Sequence, residues 1–326
     1  MIQSLCASRA AELLMQRDNI TLLCHRRPDG DTVGSAFALY YALRQLGKEV
    51  RVLCADPLPQ QYRYLYGPDY TPSRVLDWPV EYVVAVDVAS AELLGELEPK
   101  YGRMVDLCID HHPSNTDYAA LTCLDGEAAA CAELVAAILT AVGLPLTGKI
   151  AECIYTGLVT DTGGFRFSNT TANSMRLAAD IMESGVDTAA INTRIFESKS
   201  KARVLAEARL LSALQFYAES RIAVMPITLA VRAETGVTME ELEDMAGIPR
   251  RIEGVLVGVT IKEHENECRI SLRTRDCVNA SEIAAVFGGG GHRCAAGCFV
   301  KGNLEHAKKE ILAVVGETLG YGEEKC

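Results

Sequence analysis

The sequence has little positive charge for its length. Its 326 residues include 32 lysines and arginines against 43 aspartates and glutamates, which gives a formal net charge of −11. Proteins that coat long DNA or RNA rely on Lys and Arg to displace counterions from phosphates. The balance therefore argues against a protein that binds long duplex nucleic acid, whereas a small anionic ligand is compatible with a locally positive site.

Long hydrophobic runs are also absent. No run approaches the ~18 apolar residues of a membrane span. Residues 1–19 mix apolar and polar side chains instead of placing an apolar segment after a basic one. We therefore expect a soluble, cytoplasmic protein that has no membrane partner.

The twelve cysteines are scattered, and none of them form a C-x-x-C pair. Such pairs would be expected of a zinc or redox site. We therefore predict that most cysteines are small core side chains in a reducing compartment. The composition, 49% hydrophobic and 23% charged, is typical of a globular protein that builds its core without disulfides. The length favours two domains.

Apolar stretches alternate with helical patterns up to residue 186. Strand, helix, strand units of this kind predict a parallel sheet with right-handed crossovers. The predicted strands are 20–24, 49–54, 82–86 and 104–109, and the predicted helices are 3–17, 33–46, 127–142, 149–159 and 172–184. Residues 56–79 hold five of the eleven prolines, which predicts a connection with at most a short helix.

The pattern changes after residue 186. We predict a first domain over 1–186, a charged helical connector over 187–217 and a second domain over 218–326. The second domain is predicted to be a smaller mixed α/β sheet. Its predicted strands are 222–225, 227–231, 254–262 and 267–272, and its predicted helices are 281–286 and 304–315.

Four polar clusters fall where predicted elements of the first domain end. They are His25 with Asp29 and Asp31, then Asp87, then Asp110 with His111 and His112, then Asp161. Because ligands of open α/β folds bind at the carboxyl ends of the strands, we expect these side chains to converge. Taken singly, each cluster has a structural explanation: a surface turn for Asp29 and Asp31, and a helix cap or turn for Asp87 and Asp161.

Together the clusters supply five carboxylates and three histidines, with no thiolate at a comparable position. This donor set favours Mn²⁺ or Mg²⁺, with Fe²⁺ or Co²⁺ as alternatives, over a structural zinc. Two divalent ions can together activate water and stabilise the attacking and leaving oxygens of a phosphoryl centre. A carboxylate between the ions would help to hold them close, and Asp87 is the candidate.

A run of four glycines, residues 288–291, precedes His292. Glycine backbone can approach an anion closely, so the run and the histidine predict a phosphate-binding segment. It is not a dinucleotide-binding G-x-G-x-x-G, because no strand precedes it and no long helix follows. Arg269, Arg273 and Arg275 alternate on the preceding strand, which would place three guanidiniums on one face. The alternatives are a flexible glycine loop and a solvated arginine face.

The motifs HRRPDGD, VDVAS, DHH, VTDTGGF and GGGGHRCAAG occur in this order and span nearly the whole chain. In these motifs the chain closely resembles the DHH/DHHA1 phosphoesterases, in particular the stand-alone type that degrades very short RNA and 3'-phosphoadenosine 5'-phosphate (pAp). The resemblance implies an α/β fold with an N-terminal parallel-sheet DHH domain and a smaller mixed α/β DHHA1 domain. It also implies an active site in the cleft between them.

The resemblance further implies the roles of individual residues. It implies two Mn²⁺ sites, with His25, Asp29 and Asp87 as ligands of one ion and Asp31, Asp87, His111 and Asp161 as ligands of the other. Asp87 and His112 would be the catalytic residues, and His112 would face the substrate phosphate. Asp110 would orient the neighbouring histidine. The substrate's terminal phosphate would be bound in the DHHA1 domain by Arg273, Gly289, Gly290, Gly291 and His292.

The implied reaction is hydrolysis of short RNA or small adenine nucleotides by a metal-activated hydroxide. A phosphodiesterase of cyclic or linear diadenylate is an alternative with the same motifs. A manganese pyrophosphatase would lack the GGGH domain, a RecJ-type exonuclease would carry extra domains, and an alanyl-tRNA editing module would share the GGGH segment alone. A nucleotide-sensing protein is the non-catalytic alternative, although every metal-ligand position is filled. The resemblance also leads us to expect a homodimer.

Overall fold

The computed structural model describes residues 4–66, 79–275 and 277–321. The chain divides into two units between Ser198 and Lys199. The domain limits that we predict at residues 186 and 217 stay predictions. In the parts of the chain that the structure describes, no helix is both long enough and apolar enough to cross a membrane.

The first unit is built on a five-stranded parallel sheet, as the sequence predicts. Its strands are β1 (Ile20–Leu23), β2 (Val50–Leu53), β3 (Tyr82–Val86), β4 (Leu107–Asp110) and β5 (Leu121–Leu124). Their order is β2-β1-β3-β4-β5, and every neighbouring pair is parallel.

Helices surround this sheet. They are α1 (Ala7–Met15), α2 (Gly30–Gln45), α3 (Glu98–Tyr101), α4 (Cys131–Ala141), α5 (Gly148–Asp161), α6 (Ala172–Glu183) and α7 (Thr188–Asn192). Single-turn and two-turn 3-10 or π segments cover Gln60–Leu65, Ala91–Leu97 and Thr193–Glu197.

Both faces of the parallel sheet are covered. Side chains alternate along a strand, so Leu22 and Leu23 of β1 point to opposite faces. Leu22 packs in one core with Phe37 of α2. Leu23 packs in a second core with Leu53 and Leu94. A parallel sheet requires this double cover, and it leaves the strand ends as the accessible edge.

Helices α2 and α5 pack through glycines. A Cβ at Gly34 would lie 2.5 Å from the carbonyl oxygen of Cys153, and a Cβ at Gly157 would lie 2.7 Å from Asp31 Oδ1. Both distances are too short for real Cβ atoms, so only glycine permits this approach of the two helices. The contact brings Asp31, in the first turn of α2, beside the helix that ends at Asp161.

Several predictions for the first unit are tested by the structure. Eight of the eleven described cysteines are buried, which confirms them as core side chains. The short helix at Gln60–Leu65 agrees with the predicted connection, of which residues 67–78 lie outside the described residues. The helix predicted from residue 127 begins at Cys131. Strand β5 is not among the predicted strands.

The second unit is built on a six-stranded mixed sheet, which confirms the predicted class. Its strands are β6 (Gln215–Tyr217), β7 (Ile222–Ile227), β8 (Val257–Glu263), β9 (Glu267–Thr274), β10 (Gly290–His292) and β11 (Ala295–Lys301). The order is β10-β11-β9-β8-β7-β6, in which β7 and β8 are parallel and the other neighbours are antiparallel.

The helices of the second unit lie on both faces of its sheet. They are α8 (Lys201–Ser212), α9 (Leu229–Thr235), α10 (Met239–Asp244), α11 (Ala280–Ala285) and α12 (Leu304–Thr318). Ile270 of β9 packs with Ile283 of α11 and Ile311 of α12. On the other face, Met225 of β7 packs with Leu210 of α8.

Three predictions for the second unit are wrong. Residues 215–217, which the predicted helical connector includes, form strand β6. The strand predicted at residues 227–231 is a helix, because the side chain of Thr228 caps α9 by accepting from Val231 N at 3.3 Å. Of the three arginines, Arg269 and Arg273 share a face of β9, but Arg275 lies beyond its end. The Arg275 Nε donates to Val255 O at 2.9 Å instead.

Candidate active site

The polar clusters of the first unit meet at the carboxyl edge of the parallel sheet. Asp87 directly follows β3, His111 directly follows β4, and His25 lies two residues beyond β1. These three strands are neighbours in the sheet. Asp31 reaches the same edge from the start of α2, and Asp161 reaches it from the end of α5. The predicted convergence of the strand ends is therefore confirmed.

Three groups of side chains at this edge could each hold a metal ion. Within each group the ligand atoms lie within 4.8 Å of one another, and the groups are His25, Asp29 and Asp87; Asp31, His111 and Asp161; and Asp87, His111 and His112. The first two groups coincide with the ligand sets implied by the resemblance, apart from Asp87 in the second set. Their role as ligands stays a prediction.

Asp87 lies between two histidines. Its Oδ2 is 3.7 Å from His25 Nε2, and its Oδ1 is 3.6 Å from His111 Nε2. Each oxygen thus faces a different imidazole. Oδ1 also lies 3.5 Å from His112 Nδ1. A carboxylate placed in this way could bridge two ions.

Backbone carbonyls orient both of these histidines. His25 Nδ1 lies 2.8 Å from the carbonyl oxygen of Arg26, and His111 Nδ1 lies 3.1 Å from that of Ala128. A carbonyl only accepts hydrogen bonds, so each Nδ1 donates and each Nε2 is left to face the carboxylates. Metal-ligating histidines are commonly held in this way.

Asp87 has two features that cost stability. Its backbone φ is +61°, in the left-handed region that few residues other than glycine adopt. Its side chain is 2% exposed, and Oδ1 has no hydrogen-bond donor among the described residues. A buried carboxylate oxygen without a donor is unfavourable, and a cation at this atom would remove that cost. The site therefore fits a metal ion.

Two further carboxylates, those of Asp31 and Asp161, would also be stabilised in their ionised form by a cation. Burial raises the pKa of Asp31 well above its ordinary value, and the charges of Asp87 and Asp161 raise it further. Burial raises the pKa of Asp161 to about 6, with His111 opposing the shift and Asp87 adding to it. Carboxylate oxygens and imidazole nitrogens without a thiolate suit a hard or borderline divalent ion.

Asp31 also stabilises the fold. Its Oδ2 accepts a hydrogen bond from Cys131 N at 2.6 Å, and its Oδ1 accepts one from Ala132 N at 3.0 Å. These amides begin α4, which has no side-chain cap of its own. Ser35 Oγ donates to Asp31 Oδ1 at 3.1 Å. The carboxylate is therefore fixed by the start of one helix while it faces the site.

His112 is held by a carboxylate. Its Nδ1 lies 2.7 Å from Asp110 Oδ1, and 43% of its side chain is exposed against 12% for His111. The hydrogen bond to Asp110 raises the pKa of His112 to about 9. Asp110 thus orients His112, whereas the ring of His111 is oriented by Ala128.

Asn115 belongs to the site although the sequence motifs do not predict it. This buried residue donates from Nδ2 to Asp110 Oδ2 at 2.6 Å, which completes a chain from Asn115 through Asp110 to His112. A Pro-Ser-Asn segment, residues 113–115, is typical of an ordinary turn. No signal in the sequence therefore distinguishes it as a member of the site.

In the second unit, His292 and Arg273 lie in one row across three strands. His292 is paired with Ala295, and Ala295 is paired with Arg273. Directly opposed residues of antiparallel strands share a face, so both side chains lie on the same face of the sheet. The structure brings these two predicted phosphate-binding residues together.

The glycine run forms a hairpin strand. A Cβ at Gly289 would lie 2.2 Å from the carbonyl oxygen of Gly297, and a Cβ at Gly291 would lie 2.5 Å from that of Ala295. These two positions therefore require glycine so that β10 can approach β11. Gly290 has open space beside it and no such requirement.

The first unit has a parallel sheet with candidate metal groups at its carboxyl edge, and the second has a mixed sheet with a glycine-run hairpin. These features together define a class of two-domain phosphoesterases. Residues 19–158 match the DHH family, N-terminal domain, and residues 222–320 match the DHHA1 domain. The chain belongs to the DHH/DHHA1 family, and it is a phosphoester-cleaving hydrolase.

Several of its relatives are described as NrnA. The chain is 33% identical to the bifunctional oligoribonuclease and PAP phosphatase NrnA of Thermus thermophilus, over 92% of this chain and 90% of that protein. It is 26% identical to the Bacillus subtilis protein of the same description, over 87% and 90%. A crystal structure of an exopolyphosphatase-related protein from Bacteroides fragilis has a TM-score of 0.86 at 24% identity, and covers 96% of this chain and 95% of that one. This likeness supports the fold.

Proposed function

We propose that the chain hydrolyses very short RNA and pAp with the help of two divalent ions, with Mn²⁺ as the preferred metal. The observation that carries this proposal is Asp87, a buried carboxylate that faces His25 with one oxygen and His111 with the other. The names of the Thermus and Bacillus relatives support the substrates.

The proposed ligands divide into two sets that share Asp87. They are His25, Asp29 and Asp87 for one ion, and Asp31, Asp87, His111 and Asp161 for the other. Asp29 Oδ1 caps α2 by accepting from Asp31 N at 3.0 Å, and the same oxygen lies 3.5 Å from His25 Nε2. When bound, the ions would acidify a water molecule and offset negative charge at phosphorus.

The protein's own groups would bind and orient the phosphate. His112 Nδ1 is engaged by Asp110, so Nε2 would donate to a phosphoryl oxygen. In the second unit, Arg273 and His292 would bind the terminal phosphate of the substrate from one face of the sheet. Gly290 adds backbone that a substrate can approach without a side chain in the way.

A hydrolysis assay tests the proposal. We expect phosphate release from pAp and shortening of two- to five-nucleotide RNA with Mn²⁺, and neither with a chelator. The variant Asp87→Asn should lose activity, and Asp180→Asn, at an exposed aspartate of α6, is the matched control that should keep it.

Other outcomes would contradict the proposal. If no phosphoester is cleaved with Mn²⁺ although nucleotides bind, the chain is a nucleotide-sensing protein. Preferential cleavage of cyclic or linear diadenylate would support the diadenylate phosphodiesterase instead.

The proposal includes three points of organisation. We propose the domain limits 1–186, 187–217 and 218–326, a cytoplasmic location and a homodimer. Light scattering of the purified protein tests the oligomeric state directly, and a monomer across the working concentration range would overturn the dimer.

A further inference from the structure

One face of the mixed sheet is covered by helices over only part of its width. Over β7 and β8 the cover is close: Met225 packs with Leu210, and Thr260 Oγ1 donates to Ala246 O at 3.1 Å. Over β9 and β11 the same face is half-buried or exposed. It consists there of Arg269, Ser271, Arg273, Ala295, Gly297 and Phe299, which we call the open half-face.

The open half-face has three cross-strand rows. Arg273 lies opposite Ala295, Ser271 lies opposite Gly297, and Arg269 lies opposite Phe299. The middle row has the smallest side chains. It separates two rows that each carry an arginine.

The third row combines an aromatic ring with a cation. The side chain of Phe299 is 54% exposed, although the residues on either side of it, Cys298 and Val300, are buried. An exposed phenyl ring beside a guanidinium is the surface on which single-stranded nucleic acids stack a base and place a phosphate. Every base has a π face, so such a surface binds without regard to sequence.

We propose that the Arg269–Phe299 row is a nucleotide subsite for the part of a short RNA that lies beyond its terminal nucleotide. A base would stack on Phe299, and a phosphodiester would pair with Arg269. This inference rests on the proposed function, which places the terminal phosphate at Arg273 and His292.

Distance along the strand gives the subsite its selectivity. Arg273 and Arg269 are four residues apart on β9, which corresponds to ~13 Å at ~3.3 Å per residue. A mononucleotide such as pAp cannot occupy both rows, whereas a trinucleotide can. The subsite therefore distinguishes substrates by length.

The row beyond Arg269 and Phe299 limits how many nucleotides the open half-face can bind. Glu267 lies opposite Lys301 at the end of the open half-face. The carboxylate and the ammonium of this row offset each other, so the row offers no net positive charge to a further phosphodiester. Nucleotides beyond the third should therefore add little affinity.

The test measures binding of pAp and of two-, three- and five-nucleotide RNA to the full-length protein in chelator, where no ester is cleaved. We expect the trinucleotide to bind more tightly than pAp. Phe299→Ala should weaken trinucleotide binding by about fivefold or more and leave pAp binding unchanged. Phe299→Trp should retain the trinucleotide preference.

Phe216 provides the matched control. It is an exposed phenylalanine of β6, at the opposite edge of the same sheet, so Phe216→Ala should leave all affinities unchanged. If Phe299→Ala leaves the trinucleotide affinity unchanged, or weakens pAp equally, the subsite is overturned.

Hydrolysis of the same substrates with Mn²⁺ separates this inference from the proposed function. Cleavage of pAp and RNA with an unaltered length preference in Phe299→Ala would overturn the subsite alone. Trinucleotide binding that depends on Phe299, without cleavage of any substrate, would overturn the proposed function and leave the subsite.

Discussion

Asp87 combines a strained backbone with a buried oxygen that lacks a donor among the described residues. Both features reduce the stability of the fold, and neither improves the packing of β3. Asp87 lies between His25 and His111. A cation at this position would offset the desolvation of the Asp87 carboxylate and the repulsion among the neighbouring acids. The buried oxygen that destabilises the fold, Asp87 Oδ1, is thus also an atom that the proposed function uses.

The variant Asp161→Asn separates stability from metal binding. The pKa of Asp161 is raised from 3.8 to about 6, so its ionised form is less favourable in the folded protein than in the unfolded chain. In chelator at neutral pH, we expect the free energy of unfolding of the variant to be ~1–3 kcal/mol higher than that of the wild type. Urea denaturation measures this difference.

The sign of this effect depends on pH. As pH rises from about 4 to about 6, ionisation of Asp161 in the unfolded chain lowers the free energy of unfolding of the wild type. The variant should therefore be no more stable than the wild type below about pH 4. Mn²⁺ should stabilise the wild type more than the variant, because the variant lacks one of the proposed ligands. A variant that is less stable in chelator, or equally stabilised by Mn²⁺, contradicts the assignment.

Asn115 is expected to act through Asp110 and His112. Asn115→Ala removes the donor to Asp110 Oδ2, which leaves a buried carboxylate oxygen without that partner and loosens the carboxylate that holds the ring of His112. We expect kcat for pAp to fall about tenfold or more, by analogy with other partners that orient a site's ligands. Steady-state kinetics measures the change.

The exposed Asn173 of α6 serves as the comparison for Asn115. Its Oδ1 accepts from Arg176 Nη1 at 2.9 Å on the helix surface, so Asn173→Ala should leave kcat unaltered. Wild-type kcat in Asn115→Ala would show that His112 does not need this support.

At the scale of elements, the contact between α2 and α5 determines where the acids lie. The two helices approach through Gly34 and Gly157, and α5 presents Asp161 toward Asp31. The helical patterns predict both helices, but they do not predict this contact. A glycine in a helix sequence carries no sign of which backbone it will face.

Gly34→Ala tests the contact. Its Cβ would lie 2.5 Å from the carbonyl oxygen of Cys153 and 2.9 Å from Gly157 N, so the helices would have to separate. We expect the free energy of unfolding to fall by ~1–3 kcal/mol. Activity should fall as well, because Asp161 would shift relative to Asp31.

Gly247 offers a comparison in the second unit. A Cβ at this position would have no described atom within 4 Å, and the backbone φ is not left-handed. Gly247→Ala should therefore change the free energy of unfolding by less than ~0.5 kcal/mol. Equal effects of the two substitutions on stability would show that the glycine contact between α2 and α5 is not required.

For the whole molecule, short apolar stretches that alternate with helical patterns allow the parallel sheet and the meeting of its strand ends to be predicted. Three strands are missed for physical reasons. Strand β5 has four residues and an exposed first side chain, β6 has only three residues, and β10 contains two glycines, which leave no side-chain pattern. At the site, His25, Asp87 and His111 follow predicted strands. The amides of α4 that hold Asp31 could not be predicted, because backbone groups have no sequence signal.

The most direct test of the two-ion centre is pAp hydrolysis by metal-stripped protein as Mn²⁺ is added stepwise. The two ligand sets that share Asp87 predict no activity without metal and a rate that saturates at two equivalents of tightly bound Mn²⁺. Full activity in the stripped protein, or saturation at a single equivalent, would contradict the two-ion centre.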